Sequence, residues 1–351
     1  MKNYFENVCD ELKSYFKILS PEIPEFLEEY IDVPEMDRIS KISMFCGKDY
    51  ADAFGVKYFI SNLDHSVGVA LIIWNFTHDK KQTIAGLYHD IATPVFKHCI
   101  DFMNGDSEKQ ESTEEKTLEI IKSSNQIMAL LTRDKIKVEE ISDYKIYPIA
   151  DNDTPRLSAD RFEYHFTCGL SLSPVFTISD IRAIYQNIAV LKNEDGDNEI
   201  GFKSKDVCEN YIKKVSMLWP LWANEQNNVF MNFLGDICKV MNKKGYLEIS
   251  DLYRLSEQDI IDKIENCKDE YISSKFKKFR HAKRVFLSPI ELTEKYCVKI
   301  KAKRRYINPL VQTHEGNKRI YDISVPAKIC IDSYLNEKYD SYGCYEFDFK
   351  V

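Results

Sequence analysis

The segment AGLYHDIATPVFKHCIDF, from Ala85 to Phe102, carries His89 and His98 together with Asp90 and Asp101, in a chain that has only seven histidines. Imidazole beside carboxylate serves either as a satisfied polar pair in a helical core or as part of a divalent-metal site. A metal needs three or more nitrogen or oxygen ligands arriving from different elements. His65 opens one apolar helical run, and His89 and Asp90 end the next. Neighbours on a helix diverge by about 100°. His89 and Asp90 can therefore ligate together only from a helix end, or around two metals with Asp90 bridging. A further carboxylate has to come from elsewhere, and Asp160 in LSADRFEYH, at the start of another helix, is the candidate. His98 and Asp101 lie three apart and share a helical face. On spacing alone, a single histidine in an apolar helix is more commonly a satisfied core residue.

The elements that must position these residues are mostly helical over the first 190 or so positions, by apolar spacing. NVCDELKSYFKIL is amphipathic and is stopped by the prolines of SPEIPEF. PEMDRISKISMFC reads as a short helix ended by Gly47. DHSVGVALIIWNFT is nearly all apolar, so that helix is central and buried on most faces. DKKQTIAGLYHDI follows and ends at Pro94. STEEKTLEIIKSSNQIMALL opens with a capping box at Ser112 and Glu115. A new helix begins near Ser158, and SDIRAIYQNIAVL reads as helical. KNEDGDNEIGFKS is a hairpin or loop. The stretch from Lys205 to Lys244 is a long helix with a kink or break at Pro220. After about Phe286, KYCVKIKAKRRYINPLV, KRIYDISV and YGCYEFDF alternate as half-buried strands do. The expected organisation is a helical body over 1–285, with any metal site within 60–165, and a small α+β appendage over 286–351.

The 351 residues suffice for one large domain plus a small one. The 21 Tyr and 20 Phe argue against long disordered stretches. A net charge of −8 argues against general affinity for a nucleic-acid backbone. The ten cysteines include no CxxC pair and read as buried small hydrophobes rather than zinc knuckles or a disulfide framework. The first residues do not form a signal peptide, and no apolar run is long enough for a membrane helix. The expected location is the reducing cytoplasm. Phosphate-binding glycine loops and the nucleophile elbow are absent from the sequence, which disfavours P-loop, Rossmann and serine-hydrolase chemistry.

The quoted motifs resemble the HD-domain superfamily of metal-dependent phosphohydrolases, whose pattern is a His, then His-Asp, then a distant Asp. These are His65, His89, Asp90 and Asp160 here. DHSVGVA is similar to the family's EHSLGV, HDIATPVFKHCID to HDIGHGPFSHxFE/D, SADRFEY to DxDRxDY, and VPEMDRISKISMFCG to TPxFQRLRxIKQLG. Together they resemble the branch containing deoxynucleoside triphosphate triphosphohydrolases, over roughly residues 20–175. The resemblance implies a mainly α HD-domain helical bundle. It also implies a divalent ion, one of Fe, Mn, Ni, Zn, Co or Mg, held by those four residues. The ion would polarise a phosphoryl oxygen and activate water. His98, oriented by Asp101, would face the phosphate as the catalytic pair. Arg161 and Tyr164 match positions that contact substrate phosphates and sugar.

The departures concern the substrate side. Thr93 stands where the family has a further histidine. Gln110 aligns with a catalytic histidine and cannot shuttle a proton at neutral pH. Phe45 replaces the glutamine that reads deoxyribose, Asn62 replaces an arginine, and Cys168 replaces an acid. Glu111, Glu114 and Glu115 offer an alternative acid/base, against the simpler reading of a solvated acidic helix start. His78 reads as an exposed turn residue, His165 as outside the ligand set, and His281 as part of a basic helix. SSKFKKFRHAKR and KIKAKRRYINP are basic clusters, read first as solvated faces. An oligomer contact or allosteric nucleotide site is a further reading. Nucleic-acid binding through Lys301, Arg304 and Arg305 is the weakest. The expected function is hydrolysis of a nucleotide or related phosphoester. The alternative is a catalytically weakened HD domain that senses a nucleotide or binds a partner.

Overall fold

The apolar run beginning at Asn62 forms the helix Asn62–Thr77, and every residue from Asn62 to Ile73 is buried. Its start is fixed by a reciprocal cap: the Ser61 hydroxyl accepts from the Asp64 N–H at 3.1 Å, and the Asp64 carboxylate accepts from the Ser61 N–H at 2.8 Å. His78 closes the helix in the left-handed conformation, and Asp79 caps the next, Lys80–Tyr88. The two pack closely because residue 86 is glycine: a Cβ there would lie 2.2 Å from Ile73 Cδ1. The helix Ala159–Thr167, capped by Ser158, packs against the same central helix. The structure, a computed structural model, describes residues 3–110, 112 and 116–351. It is mainly α-helical.

The helix Glu225–Lys243 backs the turn that follows His89, with Gly235 against the short helix Cys99–Met103. A side chain at 235 would meet the Cys99 carbonyl at 2.7 Å. One sheet joins distant parts of the chain. Ile188–Lys192 and Asn198–Phe202 form an antiparallel hairpin, the second strand pairs in parallel with Leu310–Thr313, and that strand turns back into Gly316–Arg319. A second sheet runs in the order Phe286–Ser288, Tyr342–Cys344, Cys297–Val298. Beyond it, Tyr345, Phe347 and Phe349 point into the core against Phe233. Among the described residues no helix is long and apolar enough to cross a membrane.

Several sequence expectations are corrected. SDIRAIYQNIAVL is helical only over Ile178–Tyr185, and its end is the strand Ile188–Lys192, because pairing with Asn198–Phe202 overrides local propensity. KRIYDISV is a strand only as far as Arg319; Ile320–Ile323 is a short helix whose Ile320 is buried. The 205–244 stretch breaks into Lys205–Val215 and Glu225–Lys243 around Pro220, as its proline suggests. The helix after Ser112 divides at Ser124, whose hydroxyl caps Asn125–Asp134. The capping partner Glu115, and the alternative acids Glu111 and Glu114, lie outside the described residues. Cys297 and Cys344, opposite each other on antiparallel strands, form a disulfide that the scattered cysteine spacing did not suggest.

Glu257 ties the site region together from below. Its fully buried carboxylate accepts from the Ser43 N–H at 2.9 Å and the Phe96 N–H at 3.3 Å. Burial nevertheless pushes the carboxyl up to about 8. The folded chain thus holds this proton more tightly than the unfolded chain. The associated stability is complete below the ordinary glutamate value and is lost as pH rises towards 8, at about 1.4 kcal/mol per pH unit. Glu257→Gln is expected to flatten the fall in urea-unfolding free energy between pH 5 and 8. A variant curve parallel to the wild type would remove Glu257 as its origin.

Candidate metal centre

Three of the four residues expected to bind metal converge. One ligand atom each from His65, His89 and Asp160 lies within 4.8 Å of the others. His65 Nε2 is 3.2 Å, and His89 Nε2 3.8 Å, from Asp160 Oδ1. The unused ring nitrogens are both occupied. His89 Nδ1 donates to the Gly86 carbonyl at 2.7 Å, and His65 Nδ1 is hydrogen-bonded to Glu163 Oε2. Two imidazoles with Nδ1 engaged and Nε2 turned to a shared carboxylate form a donor set that fits a divalent transition ion. Burial opposes charge on His65, but Glu163 and Asp160 outweigh it and carry its pKa up to about 10.

The fourth expected ligand, Asp90, stands beside the trio and is paired with Lys97. Asp90 Oδ2 lies 3.7 Å from His89 Nε2 and 2.9 Å from the Lys97 ammonium, which also donates to Asn62 Oδ1. Burial would raise the Asp90 carboxyl, yet Lys97, His89 and His65 hold it well below the usual range. The turn after Asp90 is clamped by Arg38, whose guanidinium donates to the Ile91 and Thr93 carbonyls at 3.0 and 2.8 Å.

The ligand atoms open onto a cavity of about 560 Å³. His98 lines it, and its Nδ1 bonds Asp101 Oδ2 at 2.9 Å, as their three-residue spacing suggested. Asp101 is fully buried and also accepts from the Ser112 hydroxyl. Burial lowers the His98 pKa, so its Nε2 is a proton acceptor at neutral pH. Gln110 is in the left-handed region (φ 58), and its Oε1 accepts from Arg305 Nη2 at 2.8 Å. The same guanidinium nitrogen is 3.5 Å from His98 Nε2. Phe45, Tyr164 and Cys168 line the cavity, while Asn62 lies behind Lys97. Arg161 also lines it, but its fork is taken up by Asn152, Ser158 and Asp151. His165 bonds the Tyr211 hydroxyl, away from the trio, and burial pulls its pKa down to about 3.

Sequence reasoning missed Lys97, Glu163 and Arg305. Lys97 and Glu163 stand inside the quoted motifs FKHCID and DRFEY, so the motifs held the signal. Arg305 was hidden in a basic run read as a solvated face. Nothing in that run's spacing separates it from Arg304, which instead stacks on Tyr334 and Tyr339.

Glu163 depends on a glycine. A Cβ on Gly68 would lie 2.7 Å from Glu163 Cγ and 2.8 Å from Oε1. Gly68→Ala is expected to cost about 1–3 kcal/mol in urea unfolding. By displacing the partner of His65, it should also weaken Mn²⁺ binding about tenfold or more in a calorimetric titration. Unchanged Mn²⁺ affinity would show that Glu163 does not orient His65.

No family model matches the chain. The uncharacterized protein YdhJ of Bacillus subtilis (strain 168) is 28% identical over 109 residues. That match takes in 31% of this chain and 33% of YdhJ, so it spans about a third of that relative's length. Among solved structures, a phosphohydrolase from Bacteroides thetaiotaomicron VPI-5482 superposes with a TM-score of 0.62 at 14% identity, over 93% of this chain and 96% of its own. A hypothetical protein from Aquifex aeolicus superposes with a TM-score of 0.56 at 16% identity, over 92% of each chain. At these identities the likeness is one of fold, and it extends along nearly the whole of this chain.

Proposed function

We propose that the protein is a metal-dependent phosphohydrolase acting on a nucleotide or a related phosphoester. The observation that carries this reading is the convergence of His65, His89 and Asp160 on a cavity that Lys97, His98 and Arg305 also line. The fold shared with a phosphohydrolase supports it. A divalent ion on the trio would polarise a phosphoryl oxygen and acidify a water molecule. Lys97 and Arg305 supply positive charge for the substrate's phosphate oxygens. His98 presents Nε2 as a proton acceptor, and buried Asp101 holds its ring in that orientation and tautomer. Phe45, Tyr164 and Trp222 give the cavity flat apolar faces suited to a base or sugar.

Metal content measured on the purified protein, followed by assay of mono-, di-, tri- and cyclic nucleotides with that metal, tests the reading. Turnover of at least one phosphoester is expected. Asp160→Asn is expected to lower both bound metal and rate, the rate by about a hundredfold or more. Equal rates for wild type and Asp160→Asn would overturn the assignment.

One observation favours a second reading, a nucleotide-binding module with weakened chemistry. Gln110 occupies the position of a proton-carrying histidine and is committed to Arg305. Under this reading the wild type binds nucleotide without turnover, and Gln110→His creates triphosphohydrolase activity. Nucleotide turnover by the wild type excludes the second reading, and Gln110→His without triphosphohydrolase activity counts against it.

A further inference from the structure

Lys97 is a lysine placed where solvent hardly reaches, 7% exposed, at the edge of the candidate metal centre. Its ammonium lies 2.9 Å from Asp90 Oδ2 and is bonded to Asn62 Oδ1, which engages two of its three N–H donors. The third is left for an occupant of the cavity that Lys97 lines. The backbone is bent to achieve this. Phe96 and Lys97 are consecutive non-glycine residues in the left-handed region, with φ of 64° and 47°. Such conformations persist only where surrounding structure enforces them, and they collect at functional sites. Here the enforcement is visible in buried Glu257, which holds the Phe96 N–H.

Asp90 connects this ammonium to the ligand trio, because the same Oδ2 is 3.7 Å from His89 Nε2. In centres with two metal ions, the ions lie about 3.5–4 Å apart and together clamp the attacking and leaving oxygens of a phosphoryl group. A bridging carboxylate at Asp90 is the feature that would allow such a pair here, and one of its oxygens is already given to Lys97. We propose that Lys97 replaces a second metal ion: its ammonium, seated on Asp90 and Asn62, is a built-in cation that binds an anionic phosphate oxygen, and the centre takes a single metal. The inference rests on the phosphohydrolase reading for the identity of the anion. An ammonium cannot be stripped by a chelator, so it leaves the protein with part of its phosphate affinity when metal is removed. Where a second ion supplied that charge, its share of the affinity would leave with the metal.

The test uses the full chain, first treated with chelator and then reloaded with Mn²⁺, titrated calorimetrically with inorganic phosphate. Wild type is expected to take up one Mn²⁺ per chain. Lys97→Met and Lys97→Gln are expected to keep that Mn²⁺ while binding phosphate about tenfold or more weakly in both states. Lys97→Glu is expected to admit a second Mn²⁺. Two Mn²⁺ bound to wild type overturns the proposal without any variant having to fold. Undiminished phosphate affinity in folded Lys97→Met overturns it equally. The two readings separate cleanly. Phosphate binding that depends on Lys97 in a protein cleaving no phosphoester keeps the built-in cation and removes the hydrolase. Turnover lost in Asp160→Asn, with phosphate binding indifferent to Lys97, does the reverse.

Discussion

The structure turns on one buried contact, the hydrogen bond between Glu163 and His65. A carboxylate with no exposed surface is costly unless every lone pair finds a donor. Glu163 accepts from the Tyr15 hydroxyl at 3.0 Å, from His65 Nδ1, and from the Thr167 hydroxyl. Tyr15 belongs to the helix Asp10–Leu19, His65 to Asn62–Thr77, and Thr167 to Ala159–Thr167. Satisfying one acid therefore fixes three helices against one another. It also decides which nitrogen of His65 faces Asp160. Packing and ligand geometry here are one constraint, and Gly68 is the residue that leaves room for it.

That economy explains what could be read from the sequence. The central helix was legible because its apolar run is unbroken, and His65, His89 and Asp160 because their motifs place each at a helix start or end. The hairpin at Ile188 and the helix at Ile320 were not, since partners far along the chain decide them. Asp90 was legible as an acid at the site, but its pairing with Lys97 was not. Lys97 arrives beside it from a left-handed turn that the fold, not the spacing, produces. Arg305 was hidden for a related reason. A run of cations looks alike in sequence, whereas in space Lys301 is exposed, Arg304 lies on tyrosine rings, and Arg305 reaches His98 and Gln110.

The charge balance of the cavity follows from these placements. Acids gather on the metal side, where Asp90 and Asp160 are held ionised by neighbouring histidines and Lys97. Cations gather around His98. A phosphoester bound between them would meet positive charge from a metal on one side and from side chains on the other. Under the proposed function, this arrangement would stabilise charge developing in phosphoryl transfer with little movement of the protein.

The parallel pairing of Asn198–Phe202 with Leu310–Thr313 carries a consequence for the order of assembly. His65, His89 and Asp160 all precede both strands in the chain, so synthesis from the N-terminus brings them out first. Arg305 lies five residues before the strand Leu310–Thr313, so its place in the cavity is tied to a pairing that closes a long loop of chain. A nascent chain would thus hold its metal-binding residues in place before it could hold a substrate.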